Sequence, residues 1–342
     1  MPPAAKYVGL DVGGTTMKAA VVDDHGVAAP AVSLDTNPQL GQEAGLTTMC
    51  ATIERAVKAA KLTMADVAAV GVATPGLMDL RAGLILDPPN LAPWKNVPVR
   101  EHIRQAFGKP TAYQNDANAA AFAEKWVGAA KGAHSMVMFT LGTGVGGAVV
   151  VGDAVIEGEH SHGGELGHLR IDLPDRGRRC GCGARGCLEA YASATAVVDR
   201  ARDALASWRG HTELKQYQTV FDPDQFDAKV VFDLADAGDE CAKKVVDDTA
   251  YYLALGACAV IATVDPEVIV IGGGMAKSPE FLAKVDEYVR RFGLPYPTHT
   301  DRYAKTLGRK DLPQPVRVVF AELGETAGYI GAAGCARLLV AK

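Results

Sequence analysis

The sequence predicts an α/β protein of two domains, and three observations carry that expectation. A unit of strand, glycine/threonine turn and strand occurs near the N-terminus and returns around residue 140. Between and after these units, segments of helical period alternate with apolar runs of strand length. At 342 residues the chain is also longer than one ordinary core requires.

Taken in order, an apolar run from Tyr7 to Val12 breaks at Gly13-Gly14 and resumes from Met17 to Val22, which reads as a hairpin. Asp23, Asp24 and Gly26 mark a turn before a third strand, Val27 to Leu34. Residues 41–61 have helical period, Thr63 to Asp66 carries a weak capping signal, and Val67 to Ala73 reads as a buried strand ending at Thr74-Pro75-Gly76. A helix over 98–107, a strand over 111–114 and an Ala-rich helix over 117–130 follow. The opening pattern then repeats as Ser135 to Leu141, the turn Gly142 to Gly147, and Ala148 to Val151. Helices are expected over 188–206, 239–263 and 326–340, with a strand from Glu267 to Ile271 running into Gly272-Gly273-Gly274. The interval 207–228 is polar and irregular.

Composition excludes several classes. With 48% hydrophobic and 22% charged residues the chain is globular in type. Its formal charge of −5, with basic residues scattered, argues against a nucleic-acid or anionic-membrane partner. No apolar run reaches the ~18–20 residues that span a bilayer, and the opening MPPAAKYVGLDVGG has no apolar signal core, so a cytoplasmic address is expected. Of seven cysteines, Cys180, Cys182 and Cys187 lie close together, as in a metal site. Cys50, Cys241, Cys258 and Cys335 sit in helix-like apolar contexts and read as core.

Three constellations point to chemistry. The two glycine/threonine turns can bring backbone N–H groups and hydroxyls against phosphate, and Asp11, at the end of the first strand, suits Mg²⁺ through water. Neither turn has Walker A spacing, and each by itself also reads as a structural turn. Gly272-Gly273-Gly274 is a third turn of this kind, with tight helix–strand packing as its alternative. Asn115-Asp116 closes a strand and opens a helix, so Asp116 is either an N-cap or a base that takes the proton of an attacking hydroxyl. Asn115 and Asn90, the latter on the proline-bracketed Pro88-Pro89-Asn90-Leu91, suit neighbouring sugar hydroxyls. His168 with Cys180, Cys182 and Cys187 supplies a tetrahedral Zn²⁺ set that is structural because no position stays open; His160 and His162, competing nitrogen ligands, lie outside this compact block and read as surface or loop residues.

Together, Asp11-Val-Gly-Gly-Thr-Thr-Met-Lys18, Asn115-Asp116, Leu141-Gly-Thr-Gly-Val-Gly-Gly147 and Glu165-Leu-Gly-His168…Cys180-Gly-Cys-Gly…Gly186-Cys-Leu-Glu189 closely resemble the ROK family (repressors, open reading frames, kinases), especially its bacterial glucokinases. The resemblance covers nearly the whole chain. It implies an actin-like, ribonuclease-H-like ATPase fold with a smaller N-terminal domain (1–115), onto which a helix at about 326–342 packs back. The larger domain (116–325) would carry a zinc loop at 165–189, and an active-site cleft is expected between the two. It further implies Asp116 as catalytic base and Asn90, Asn115, Asp116, Glu165, His168 and Glu189 as sugar ligands, with His168 serving zinc through its other ring nitrogen. Asp11, Gly13, Gly14, Thr15, Thr16 and Lys18 would form the first phosphate loop, Gly142, Thr143 and Gly144 the second, and Gly273 and Gly274 part of the adenosine pocket. The implied activity is transfer of the ATP γ-phosphate to a free hexose, glucose to glucose 6-phosphate first, with an N-acetylhexosamine (GlcNAc or ManNAc) as the alternative acceptor. ATP, Mg²⁺ and structural Zn²⁺ are the implied cofactors and a homodimer the implied assembly. A sugar-sensing regulator of the same family is the third reading. It is disfavoured because the first strand begins near residue 6, with no preceding helix-turn-helix, and because Asp116 is retained.

Overall fold

The computed structural model describes residues 4–222, 225–275, 278–294, 305–308 and 314–341. It divides into two compact units, Met1–Gly132 with Val149–Gly164 and Glu322–Lys342, and Ala133–Ala148 with Glu165–Ala321.

In the first unit, β1 (Lys6–Val12) and β2 (Thr16–Asp23) pair antiparallel from Lys6↔Asp23 to Val12↔Met17, the expected hairpin. The third strand is shorter than its sequence suggests: β3 is Val32–Asp35, and Ala28 contributes only an isolated bridge to Val22. After helix α1 (Gln42–Ala59) come β4 (Ala69–Thr74), the small hairpin β5 (Leu77–Asp79) and β6 (Leu84–Asp87), helix α2 (Val99–Phe107), β7 (Thr111–Asn115) and helix α3 (Asp116–Trp126). The sheet order is β3-β2-β1-β4-β7, with β1, β4 and β7 parallel.

Strand alternation sorts the core onto the two sheet faces. Val8, Leu10, Val12, Met17, Ala19 and Val21 pack with Leu46, Met49, Ile53 and Ala56 of α1. Tyr7, Ala20, Val22 and Ala69 pack with Ala123 of α3 and with Ala327, Ile330, Ala333 and Ala336 of the C-terminal helix Ala327–Val340. That helix lies at backbone contact: a Cβ on Gly331 would overlap the Ala119 carbonyl oxygen, and one on Gly71 that of Ala332. Small residues at these points are therefore a packing requirement. The sequence boundary at residue 115 falls just before α3, and the structure groups α3 with the first unit because the C-terminal helix packs along it.

In the second sheet β8 (Ser135–Leu141) lies between β9 (Val145–Val151) and β11 (Val268–Gly272), with the two-residue β10 (Ala154–Val155) and β12 (Arg317–Phe320) at its edges. β8, β11 and β12 run parallel. The helix expected over 188–206 is two, α4 (Glu189–Ala192) and α5 (Ala194–Ser207), because Ser193 turns extended and caps α5 through Ala196 N–H. The helices α6 (Ala228–Asp236) and α8 (Pro279–Phe292) were not anticipated, whereas α7 (Glu240–Val264) was. By length and composition α7 could cross a membrane, contrary to the expectation from apolar runs. Half of its most apolar stretch is nonetheless buried within its own unit, where α5, α6 and α8 pack on it.

Candidate active site

Register gathers the first set of candidate residues. Asp11 pairs with Ala73, Ala73 with Gln114 and Thr74 with Asn115, so Asp11, Thr74 and Asn115 share the carboxyl end of three parallel strands. Open α/β sheets present ligand sites at that end. Burial pushes the Asp11 carboxyl up to about 6, against the pull of the Lys18 ammonium, its cross-strand neighbour. The turn after β1 is closed by Gly13 N–H donating to the Thr16 carbonyl at 2.9 Å, and braced by the Thr36 hydroxyl donating to the Gly13 carbonyl at 2.7 Å. Thr15 and Thr16 thus sit on a fixed turn. A Cβ on Gly14 would lie 3.0 Å from the Asn90 carbonyl oxygen, so the turn and the exposed Asn90 loop abut. Lys18 Nζ donates to Glu325 Oε2 at 2.7 Å, a partner 307 residues away that no local pattern reveals.

At the mouth of α3 the structure removes the N-cap reading of Asp116. Asn115 is the N-cap, its Oδ1 accepting from Ala117 N–H at 2.9 Å and Asn118 N–H at 3.2 Å. Asp116 is the first helical residue, with Oδ1 accepting from Ala117 N–H at 2.8 Å. Asn115 therefore spends its acceptor on the helix and keeps its Nδ2 donor for other use. Behind the turn, the buried Tyr113 hydroxyl shares a 2.7 Å hydrogen bond with Thr74. Burial raises its pKa far above the usual range, the Thr74 bond opposes the rise, and the Asp116 charge adds to it.

The second unit gathers the rest. Gly272 pairs with Thr140, so the 142–144 turn and Gly273-Gly274 lie at the same end of β8 and β11. Gly273 has φ 103°, and a Cβ there would overlap the Leu141 carbonyl, so only glycine fits. Glu189 Oε2 accepts from Val145 N–H at 3.0 Å, and its Oε1 lies 3.4 Å from Cys180 Sγ. It ties the 142–145 turn to the cysteine block. Glu165 stands immediately before the short turn Leu166–His168, its carbonyl accepting from His168 N–H at 3.1 Å.

All seven cysteines are free, and one potential metal cluster occurs among the described residues. His168, Cys180, Cys182 and Cys187 place their donor atoms within 4.8 Å of one another. Cys182 and Cys187 sulfurs are 3.7 Å apart. A tetrahedron with ~2.3 Å metal–sulfur bonds has edges of about 3.8 Å, which the Cys182–Cys187 separation matches. His168 Nδ1 faces Cys180 Sγ at 3.8 Å, which leaves Nε2 for another partner. His160 and His162 are outside the cluster; the His162 ring instead meets the His160 carbonyl at 2.8 Å.

Two parallel-stranded α/β units, each ending its central strands in glycine turns, form an actin-like ATPase fold. The ROK family profile matches residues 7–338. A glucokinase of Halalkalibacterium halodurans is 35% identical over 328 residues, covering 95% of this chain and 93% of the relative. Among solved structures, a ROK hexokinase from Thermus thermophilus aligns with a TM-score of 0.78 at 36% identity, over 98% of this chain and 99% of that one. A ROK family glucokinase from Streptomyces griseus, solved in complex with glucose and AMPPNP, aligns with a TM-score of 0.73 at 29% identity, over 98% and 100%. This chain belongs to the ROK family.

Proposed function

We propose that this protein is an ATP-dependent glucose kinase that converts glucose to glucose 6-phosphate. The observation that carries the reading is the placement of Asp116 at the carboxyl end of the parallel strands, relieved of capping by Asn115 and in one row with Asp11 and its glycine turn. The Asp116 carboxylate takes the proton of the sugar hydroxyl as that oxygen attacks the γ-phosphorus; the new P–O bond forms as the bond to the ADP oxygen breaks. Thr15, Thr16 and the Gly14 backbone N–H hold donor phosphates on the turn that Gly13 closes, with Thr143 and Gly144 acting likewise on the turn that Gly142 closes and Gly273 and Gly274 admitting adenosine. Asp11 holds Mg²⁺ through water, and the ion when bound supplies charge neutralisation on the phosphates. Asn90, Asn115, Glu165, His168 and Glu189 bind sugar hydroxyls.

His168, Cys180, Cys182 and Cys187 hold one structural Zn²⁺, whose contribution is to lock the 165–189 loop and the tautomer of His168. What supports the metal's identity is the donor set and its spacing. The family resemblance supports a homodimer, which light scattering on the purified protein reads directly, and a cytoplasmic address.

The deciding experiment is a coupled ADP-release assay over free sugars. Turnover highest on glucose is expected; preference for N-acetylglucosamine or N-acetylmannosamine would replace glucose as the acceptor, and no sugar-dependent ADP release would remove the kinase reading.

A further inference from the structure

We propose that Glu157 and Gln114 are positioning residues for the phosphoryl transfer, fixing the polarity of the hydrogen-bond network that sets the Asn115-Asp116 turn. The inference rests on the reading of Asp116 as the base.

Gln114, 4% exposed, sits one residue before the end of β7. Its Nε2 donates to Glu157 Oε1 at 2.8 Å, and its Oε1 accepts both from Asn115 backbone N–H at 2.8 Å and from Asn118 Nδ2 at 3.1 Å. The two ends of an amide have the same shape and opposite chemistry. An ionised carboxylate only accepts and a backbone N–H only donates. One orientation of Gln114 satisfies both, so Glu157 on one side and the Asn115 N–H on the other together fix an acceptor facing the turn. Asn118 follows: with Nδ2 on Gln114, its Oδ1 is left buried without a hydrogen-bond partner. Reversing Asn118 would set two amide oxygens together, so the polarity is kept although it leaves this acceptor without a protein partner in the first turn of α3.

From there the bonds run on to the reacting carboxylate. Asn118 N–H and Ala117 N–H meet Asn115 Oδ1, and Ala117 N–H also meets Asp116 Oδ1. The far end is anchored as well. Glu157 sits on a loop closed by Gly163 N–H donating to the Glu157 carbonyl at 2.7 Å. Leu80 N–H donates to Ser161 Oγ at 3.0 Å, and Arg81 pairs with Glu159 at 2.8 Å. A 43-residue separation thus becomes one rigid path from a half-buried carboxylate to the base.

The test is a polarity swap in the full chain. Gln114→Glu sets two carboxylates face to face, and kcat is expected to fall about 100-fold, the order that a ~1 Å misplacement of a reacting group costs. Glu157→Gln can still turn an amide oxygen to Gln114 Nε2 while Asn115 N–H holds Gln114 in the same sense, so kcat is expected to stay within about twofold of the parent. The double variant Gln114→Glu/Glu157→Gln restores one donor and one acceptor end, and kcat should return to within roughly fivefold of the parent, with KM for sugar and ATP changed less than about twofold throughout. The proposal is overturned if Gln114→Glu keeps kcat within about twofold of the parent, or if the folded double variant is no faster than it. Should Gln114→Glu alone not fold, a double variant more than about tenfold slower than Glu157→Gln overturns the proposal, and one within about tenfold supports it. An Asp116→Asn control that still turns over removes the base assignment, and this inference with it, whatever the swap does.

Discussion

Asp116 and Asp11 are carboxylates at the carboxyl end of one set of parallel strands, and the roles proposed for them differ with their surroundings. Asp116 begins a helix whose N-cap is supplied by its neighbour, so its removal costs chemistry more than structure. Asp116→Asn should lower kcat by about 10²–10⁴ while the sugar still binds; calorimetric titration beside the turnover assay checks both halves. Asp11 is driven up to about 6 by burial. Below that value it is protonated and cannot hold a cation, so the KM for MgATP should rise as pH falls through about 6, and Asp11→Asn should abolish that rise. For stability the sign is the reverse. A carboxyl raised in the folded state destabilises once ionised, a penalty absent below the unfolded value and complete above the folded one. Asp11→Asn should therefore raise Tm at pH 8 and change it little at pH 4, as read by thermal unfolding at the two values.

At the scale of elements, two devices hold the site residues in place. The first is the C-terminal helix, seated at backbone contact through Gly331 and through the strand glycine Gly71. Gly331→Val must displace that helix, and a loss of at least 1–3 kcal/mol in denaturant unfolding is expected, the range for overpacking a filled core. The second is the cysteine block. One zinc per chain should be found by elemental analysis, and Cys182→Ala should lose the metal and expose the 165–189 segment to proteolysis at unchanged global fold. A metal-free, fully active protein would remove the second device. Much of this level was legible, since the hairpins at 6–23 and 135–151, helices α1, α2 and α7, and β11 follow from period and turn residues. The β5–β6 hairpin, α6, α8 and β12 were not. Their segments are short or strongly charged: α6 and α8 become regular by packing on α7, β12 by pairing with β11, and β5 and β6 by pairing with each other.

For the whole molecule, ligand linkage gives a direct reading. A ligand that binds only the folded chain at 100 times its Kd adds about 2.7 kcal/mol. Glucose with a non-hydrolysable ATP analogue should raise Tm more than either alone, and Asp116→Asn should keep most of that gain while losing turnover. By itself the sequence determined the fold class, the glycine turns, the Asn115-Asp116 pair and the cysteine block, because each is written in residues close together whose backbone or donor chemistry is local. The tertiary structure alone decided that Asn115 and not Asp116 caps α3, that Lys18 meets Glu325, and that Glu157 reaches Gln114. These are choices between chemically equivalent partners, and only the register of strands and the path of loops brings one of them within bonding distance.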